Sequence, residues 1–358
     1  MELPQDIKSI IEAGQQAPSG ANLQHWKFLV REGEIHLFWR WVDTKPLYDF
    51  RNRGSLISHG AVIENIVIAA SHFGYETEVS LFPENNDPDY VAIIKLIKTE
   101  VKKDYLYPFI AKRVTNRKDY YGIPLTKEEK DCLLGACRNT NLAVHLTFVD
   151  EPKRKRKLAG LLSISERLIF ENKFVHNSVY SFFRWTKKEI SQKDGLNVAT
   201  LEYSFPLLCL MRLLQSWQWL LLFKFFGVSL LATRTVTRTN NSSGAICALT
   251  IVGESREEFI ESGRVLERIW LEATRLGLSV YPIEGFILLG QRVESGDTGL
   301  FTPFEDKLIL RSFQQIEDIF NASDKTIAIV FRIGKADPPS ARSLRKAPEI
   351  IGREPIPK

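Results

Sequence analysis

The chain carries an internal repeat, and this repeat limits the folds it can adopt. Residues 60–75 and 263–278 align without gaps at one offset (263 − 60 = 203). Both segments begin with a glycine and have another one residue before their end. A glutamate and an alanine also match in phase, and the apolar residues have helical spacing. Gly74 and Gly277 stand where a helix ends in a left-handed cap. A chance match of two amphipathic helices would not fix both ends, so the repeat predicts two copies of one α+β unit.

Length and composition agree with such a duplication. The chain has 358 residues, which is more than one ordinary domain and about right for two. Hydrophobic residues make up 44% and charged residues 25%, as in soluble globular proteins. The net charge is +5, and one basic run, at 153–157, opens a predicted helix. We expect a solvated helix face there, and phosphorylated small molecules as partners rather than nucleic acid.

Cysteine and histidine spacing gives no sign of a metal site. No two cysteines form a Cys-x-x-Cys pair, and no histidine pair has metal spacing. The cysteines are Cys132, Cys137, Cys209 and Cys247. We expect reduced, mostly buried thiols in a cytoplasmic protein. The first residues include Glu2, Asp6 and Glu12 and no apolar run, so no signal peptide is expected.

The stretch 201–231 is the most membrane-like part of the chain. Glu202, Arg212 and Lys224 interrupt it, so no uncharged run reaches the ~18 residues that span a bilayer. We expect a buried or lid-forming pair of amphipathic helices and no stable membrane insertion. Membrane contact is a minor alternative, because five aromatic residues lie close together. They are Trp217, Trp219, Phe223, Phe225 and Phe226.

Periodicity and turn residues give a coarse layout of two unequal halves, 1–104 and 105–358. The first half is predicted to have helices at 5–16 and 60–74 and strands near 27–38, 77–82 and 90–97. The second is predicted to have helices at 126–138, from 152, at 256–276 and at 312–321, and strands at 143–149, 245–252 and 326–333. A long insertion is expected at about 175–240, and an extended tail from 336 that wraps the other half.

The loop at 18–26 connects the first predicted helix to the first strand. Pro18 and Gly20 stop the helix and allow a tight backbone path. Its polar side chains are Ser19, Asn22 and Gln24. Such a set can hydrogen-bond the edge of a flat heteroaromatic ring. On local chemistry alone, an ordinary helix-to-strand loop is the simpler alternative.

A basic segment at 113–117 is a candidate phosphate site. Arg113, Thr115 and Arg117 alternate, so an extended backbone places them on one face. Two guanidinium groups and a hydroxyl can cradle a phosphate, although an exposed basic strand is the commoner fate of alternating arginines. The segment precedes a helix start with Thr126 as N-cap and Glu129 three residues later.

Four segments together resemble the FMN-dependent nitroreductase family. The loop at 18–26 is similar to the family's Pro-Ser-x-x-Asn-x-Gln-Pro-Trp loop, with His25 replacing the proline, which we expect to loosen the loop. Segment 113–117 resembles the Arg-x-Ser-x-Arg/Lys phosphate motif, with threonine in place of serine. Segment 281–286 resembles a Pro-Ile-Glu-Gly-Phe stretch whose backbone N–H groups lie near flavin N5. The tail from 331 resembles the closing strand, with Arg345, or Arg342 as substitute, returning to the phosphate.

The resemblance implies an α+β, nitroreductase-like fold in which two tandem α/β sandwich units form a pseudo-dimer within one chain. It implies FMN as cofactor and NAD(P)H as transient electron donor. The backbone of Glu284 and Gly285 would lie at flavin N5, and no side chain would act as nucleophile. The implied cofactor-binding residues are Pro18, Ser19, Gly20, Asn22, Gln24, Arg113, Thr115, Arg117, Pro282, Ile283, Glu284, Gly285 and Arg345.

The motifs occur once each, which predicts one FMN per chain. The loop is in the first half, and the three other segments are in the second. No basic motif precedes the first helix, and the segment 137–142 does not repeat the loop. Whether the pseudo-dimer associates further is left open.

Three functions follow from this resemblance. The first is an oxidoreductase that passes hydride from NAD(P)H through FMN to a nitroaromatic, a quinone or an activated alkene. The second is FMN sequestration beneath the insertion, in which Tyr203, Trp217 and Trp219 either stack on the flavin or, as we expect of each, simply pack. The third is an interaction module without cofactor, against which we count the repulsion of two guanidinium groups without an anion.

Overall fold

The computed structural model describes residues 3–40, 47–84, 86–137, 144–297 and 299–351. Most of the segment 137–142, and the tail after 351, lie outside the described residues, so the predictions made for them stay predictions.

The first half forms a four-stranded antiparallel sheet with two helices, in the strand order β1-β2-β4-β3. Its elements are α1 (Gln5–Gln15), β1 (Trp26–Arg31), β2 (Glu34–Trp39), α2 (Arg53–His72), β3 (Tyr75–Leu81) and β4 (Tyr90–Lys98). The strands predicted near 27–38 form a hairpin that turns at Gly33, with φ of +84°. Helix α2 begins at Arg53, seven residues before the predicted start at Gly60 (60 − 53 = 7).

The second half contains a four-stranded sheet in the order β5-β8-β10-β9 and a helical insertion. Its strands are β5 (His145–Val149), β6 (Phe183–Arg184), β7 (Leu196–Asn197), β8 (Ala245–Ile251), β9 (Ser279–Pro282) and β10 (Thr326–Gly334). Its helices are α3 (Tyr107–Ile110), α4 (Lys127–Ala136), α5 (Pro152–Leu162), α6 (Ile164–Glu171), α7 (Lys173–Ser181), α8 (Lys187–Ile190), α9 (Phe205–Leu214), α10 (Trp217–Lys224), α11 (Val228–Asn241), α12 (Arg256–Arg275), α13 (Gly285–Glu294) and α14 (Pro303–Phe320).

Two helices of the second half differ from the prediction. Helix α13 was not predicted, and α14 begins at Pro303 rather than at 312. A capping box starts α14: the Thr302 hydroxyl accepts from the Glu305 N–H, and the Glu305 carboxylate accepts in return. The expected box at Thr126 is confirmed, as are the positive φ values of Gly74 and Gly277.

The repeated helices α2 and α12 pack on each other at the centre of the molecule. A Cβ on Gly60 would lie 2.0 Å from the carbonyl oxygen of Ile260, and a Cβ on Gly263 would lie 2.0 Å from that of Ile57. Both contacts join positions that the repeat relates, since 260 − 57 and 263 − 60 are both 203. Such reciprocity is the mark of a two-fold interface, so the predicted pseudo-dimer within one chain is confirmed.

Each sheet packs against one helix of this central pair. Helix α2 contacts β3 and β4, and α12 contacts β8, β9 and β10. Buried apolar residues of both sheets and both helices belong to one continuous core. Helix α2 is buried around most of its circumference, which explains why its sequence is apolar on all sides.

The tail crosses to the first half. The Phe28 N–H donates to the Glu349 carbonyl at 2.8 Å, and the Ile351 N–H donates to the Phe28 carbonyl at 2.8 Å. Ile350 thereby forms a parallel bridge with Phe28 of β1. The second half thus extends the sheet of the first at its edge.

The thiols and the basic run depart in part from expectation. All four cysteines lie in the described residues and none forms a disulfide, but only Cys247 is buried and Cys209 is exposed, which corrects the expectation of mostly buried thiols. The basic run is exposed on α5 except for Lys155, whose Nζ donates to the Ser243 carbonyl at 2.6 Å.

One described helical stretch, Phe50–His72, is long and apolar enough to cross a membrane, and 89% of its apolar window is buried inside the protein. Helices α9 and α10 pass the same test only as a pair, and they meet at 110°. The stretch Phe50–His72 is buried because it contains α2, which packs against α12 at the centre of the protein.

Candidate functional site

A cavity of about 340 Å³ lies between the two halves. Its wall includes the loop at 18–25, the segment 115–117, the segment 281–286 and side chains of the insertion. Nine predicted residues line it: Pro18, Ser19, Gly20, Thr115, Arg117, Pro282, Ile283, Glu284 and Gly285. Tertiary structure therefore brings together three segments that are far apart in sequence.

A smaller cleft of about 70 Å³ adjoins this cavity. The two share Ser19, Thr115 and Arg117. The cleft adds three further predicted residues, Asn22, Arg113 and Arg345, and also Arg342. Every predicted cofactor residue except Gln24 thus lines one cavity or the other.

The loop at 18–25 is tightly held. The Ser19 Oγ accepts from the Gln24 N–H at 3.0 Å, and the Arg40 guanidinium donates to the Leu23 and Gln24 carbonyls. Three residues have positive φ: Ala21 at 48°, Asn22 at 58° and Gln24 at 56°. The loosening expected from His25 is not seen, because side-chain hydrogen bonds hold the strained backbone. Burial lowers the pKa of His25 to about 4, so its ring is neutral.

Gln24 corrects the predicted ligand set, because its amide is used inside the protein. Its Oε1 accepts from the Gln15 amide at 3.0 Å and from the Lys346 N–H at 2.9 Å. Its Nε2 donates to the Lys193 carbonyl at 2.8 Å. Gln24 thus joins the first helix, the tail and the insertion rather than facing a ring.

Asn22 is similarly engaged, although it lines the cleft. Its Nδ2 donates to the Leu344 carbonyl at 3.0 Å, and its Oδ1 accepts from the Arg345 guanidinium at 2.7 Å. Asn22 therefore positions Arg345 at the cleft.

Four guanidinium groups line the cleft, and among the described residues only one carboxylate pairs with any of them. The Arg113 Nε lies 3.1 Å from the Glu267 Oε1, with both side chains buried. Arg342 donates to the carbonyls of Ala111 and Arg113, and Arg117 donates to the Thr200 carbonyl at 3.2 Å. The cleft therefore carries an excess of positive charge, which suits an anion.

Arg345 is the arginine of the cleft whose positive charge is most disfavoured by its surroundings. Burial, reinforced by repulsion from Arg113 and Arg342, lowers the pKa of Arg345 to about 9, while Glu267 opposes the shift. Its Nε is buried without a hydrogen-bond partner. An anion in the cleft would supply that missing acceptor and relieve the repulsion.

Arg113 differs from the expectation that it and Arg117 repel each other without an anion. Glu267 already compensates its charge, so Arg113 and Arg117 do not form an uncompensated pair. The excess charge comes instead from Arg117, Arg342 and Arg345. Sequence spacing could not show this, because Glu267 lies 154 residues further on (267 − 113 = 154).

The other end of the cavity meets the start of α13. Glu284 precedes this helix and Gly285 is its first residue. The first N–H groups of a helix have no acceptor within it and lie at the positive end of its dipole. Gly285 lies against Tyr48, where an added Cβ would come within 3.0 Å of the ring. A glycine is therefore suited to this position.

Three half-buried carboxyl groups, Asp49, Glu166 and Glu284, also line the cavity, and only Glu284 lies in a segment with a sequence motif. Burial and the neighbouring Asp49 raise the pKa of Glu284 to about 8. Burial raises the pKa of Glu166 to about 7, and it raises the pKa of Asp49 despite hydrogen bonds from Ser55. Isolated acids such as Asp49 and Glu166 have no local sequence signal, since their role depends on the fold. Near neutral pH, the carboxyl groups of Glu284 and Glu166 in the cavity wall can thus carry protons.

The insertion covers one side of the cavity through Val179, Phe182, Leu196 and Val236. None of the three aromatic residues considered for stacking on a flavin lines it. Trp217 packs edge-on against His176 at a centroid distance of 5.3 Å, which confirms a packing role. Trp219 and Tyr203 are exposed.

Comparison with known proteins agrees with the motifs. No family model matches the chain. An uncharacterized protein of Mycobacterium tuberculosis is 24% identical over 361 residues, which is 97% of this chain and 48% of that protein. A second M. tuberculosis protein, provisionally named an NAD(P)H nitroreductase (acg), is 33% identical over 91 residues, or 25% of this chain and 27% of that protein. The chain thus spans at most about half the length of these relatives.

Solved structures of nitroreductases overlap with the chain at low similarity. An FMN-bound nitroreductase of Desulfitobacterium hafniense is 12% identical, with 71% of this chain and 100% of that chain covered and a TM-score of 0.39. The nitroreductase NfnB of Mycobacterium smegmatis, in complex with NADPH, is 13% identical, with 64% and 86% covered and a TM-score of 0.36. The match over 91 residues to the named nitroreductase agrees with the resemblance that the motifs carry. The chain itself folds as two α+β units joined as a pseudo-dimer.

Proposed function

We propose that the chain binds one FMN between its two halves, with the phosphate in the cleft and the ring system in the larger cavity. The observation that carries this proposal is the cluster of four guanidinium groups with one paired carboxylate, next to a cavity of about 340 Å³. Cavities of this size are common for small-molecule ligands. An unpartnered Arg345 Nε fits a phosphate oxygen as its acceptor.

The residues present suit the two ends of such a ligand. Arg117, Arg345 and the Thr115 hydroxyl would hold the phosphate by charge-assisted hydrogen bonds. At the other end, the N–H groups of Glu284 and Gly285 would face the ring, where a fixed donor stabilises negative charge that develops on reduction. When bound, FMN would supply hydride acceptance and transfer. The protein would supply binding, orientation and exclusion of water.

We further propose an oxidoreductase of nitroreductase type, with NAD(P)H as donor and a nitroaromatic, a quinone or an activated alkene as acceptor. Support comes from the relative named an NAD(P)H nitroreductase and from the carboxyl groups in the cavity wall. Reduction of a quinone or an alkene needs a proton with each hydride. Glu166 and Glu284 hold protons near neutral pH and line the cavity, so they are suited to donate one.

Sequestration of FMN is a second candidate, favoured by the covering of the cavity. Phe182 and Leu196 of the insertion line it, and Leu196 also lines the cleft. A cover of this kind can restrict the approach of NAD(P)H to the ring. Anaerobic addition of NADPH, and then NADH, to the flavin-loaded protein separates the two. Rapid bleaching of the flavin absorbance supports a reductase, and bands that persist support sequestration.

The binding proposal is tested by Arg117→Ala and Arg345→Ala, each titrated with FMN by fluorescence quenching. We expect each variant to bind FMN about 10- to 100-fold more weakly, because a charge-assisted hydrogen bond contributes about 1.5–3 kcal/mol. Arg113 is a poor choice, since its removal leaves Glu267 buried without a partner. Arg311→Ala, at an exposed position of α14, is the matched control.

Two results would contradict the proposal. Unchanged FMN affinity in both cleft variants would place the phosphate elsewhere. A parent protein that shows no flavin absorbance even after incubation with FMN would leave an interaction module without cofactor.

A further inference from the structure

The insertion carries an apolar surface that the rest of the protein leaves uncovered. We call the segment 203–231, which contains α9 and α10, the apolar hairpin. Only Leu214 and Leu220 are buried within it. Phe225 and Phe226 are 90% and 81% exposed, and Phe205 is 79% exposed. Contiguous exposed apolar patches of this kind mark sites of interaction with another molecule or with a membrane.

The geometry of the apolar hairpin suits a surface position rather than a transmembrane one. Its helices have 10 and 8 residues and meet at 110°. At 1.5 Å per residue, each is roughly 12–15 Å long, about half of the ~30 Å thickness of a hydrocarbon core. Helices with Trp, Phe and Leu on one face and Lys or Arg on the other lie in the interfacial layer, with their apolar side chains below the headgroups.

The charge of the region identifies the surface that it fits. From Tyr203 to Gly253 the sequence has no Asp or Glu. Its basic residues are Arg212, Lys224, Arg234 and Arg238. Arg238 pairs with Asp119, while the three others have no acidic partner within the described part of the chain. Basic side chains beside an apolar surface complement anionic lipid headgroups.

We propose that the apolar hairpin docks the protein peripherally on an anionic lipid surface. A second copy of the chain is a poorer occupant, because a two-fold contact would bring two sets of uncompensated basic residues together. Burial of Phe205, Phe225 and Phe226 among acyl chains supplies the apolar part of the binding. Lys224 and Arg234 supply the part that depends on lipid charge.

The test uses the full chain and vesicles of phosphatidylcholine, either alone or mixed with phosphatidylglycerol, in a flotation assay. We expect the protein to float with the anionic vesicles, to do so less with neutral vesicles, and to be partly released by high salt. The double variant Phe225→Ser, Phe226→Ser should bind the anionic vesicles at least about 10-fold more weakly. The double variant Lys224→Gln, Arg234→Gln should lose the preference for anionic over neutral vesicles.

Phe304→Ser is the matched control, because Phe304 is an exposed phenylalanine outside the apolar hairpin, on α14. It should bind vesicles as the parent does. All substituted residues are at least partly exposed, and circular dichroism checks that each variant folds. The proposal is overturned if the parent fails to bind phosphatidylglycerol vesicles, or if the double phenylalanine variant binds them as tightly as the parent. A parent dimer that dissociates in that variant, without vesicle binding, would assign the surface to a second copy instead.

Discussion

The two halves place the same residue type at one repeat position and use it differently. Glu64 on α2 and Glu267 on α12 are related by the offset of 203. Glu64 faces Arg264 and Arg268 of the opposite helix at 2.9 and 2.8 Å, and so joins the halves. Glu267 instead faces Arg113 at the cleft. The glycine contacts between α2 and α12 are thus symmetric, whereas the two glutamates of the repeat pair with different arginines.

The surroundings of each acid explain the difference. Burial raises the pKa of Glu267, and Arg113 opposes that shift most strongly. Around Glu64, each arginine has a second carboxylate, Glu261 for Arg264 and Asp104 for Arg268. If Glu64 loses its charge, each of its arginines therefore keeps another carboxylate, whereas Arg113 at the cleft has no second one among the described residues. The backbone crossing of the two helices therefore follows the repeat, while the ion pairs around it do not.

The largest expected effect comes from breaking the symmetric contact itself. Gly60→Ala and Gly263→Ala should each destabilise the protein by about 3 kcal/mol or more, because the new Cβ would meet a backbone carbonyl 2.0 Å away. Urea denaturation measures the change in the free energy of unfolding. The two variants should lose similar amounts, since the contacts are reciprocal.

Gly160→Ala is the control for that comparison. Gly160 lies in α5, and a Cβ there would meet nothing within 4 Å. This variant should be as stable as the parent, or more stable by about 0.5–1 kcal/mol, because alanine favours a helix. Parental stability in both interface variants would contradict the close crossing of α2 and α12.

A smaller effect on stability should distinguish Glu64 from Glu267, the two glutamates at the same repeat position. Glu267→Gln should cost about 3 kcal/mol, because Arg113 keeps its buried charge and loses its carboxylate. Glu64→Gln should cost about 1.5 kcal/mol, since both of its arginines retain another acid. Thermal unfolding with and without FMN provides the measurement. Added FMN should recover more stability in Glu267→Gln, and equal recovery in both would contradict a phosphate beside Arg113.

The smallest effect concerns an acid that only the second half has. Counting 203 back from Glu284 gives Leu81 (284 − 203 = 81), so the first half has no counterpart. The pKa of Glu284 rises from 4.5 to about 8. Between these values the folded state keeps a proton that the unfolded state has released, so stability falls as the pH rises.

Glu284→Gln should remove this contribution. Relative to the parent, the variant should gain about 1 kcal/mol of stability between a pH of about 5 and about 8, within the limit of about 1.4 kcal/mol per pH unit. Urea denaturation at several pH values measures the free energy of unfolding of the variant and of the parent. Groups that titrate alike in both proteins cancel in the difference between the two values. A difference that does not change with pH would mean that Glu284 is ionised in the folded protein.

Much of the site could be predicted because its groups lie in short segments. The loop at 18–26, the basic segment 113–117 and the stretch 281–286 each carry their residues within nine positions. Gln24 was misread because hydrogen bonds to the tail and the insertion occupy its amide. The start of α14 was missed although its capping residues, Thr302 and Glu305, are visible in the sequence.

The sequence by itself determined the duplication, the central helices with their glycines, and the basic groups that an anion would meet. These depend on spacing within a helix or a short segment, where neighbours along the chain decide the outcome. Only the tertiary structure decided that Glu267 compensates Arg113, that Asp49 and Glu166 face the cavity, and that the apolar hairpin stays uncovered. Ion pairing, burial and exposure depend on residues far apart in the chain, and the spacing of residues along a chain does not encode which distant groups will meet.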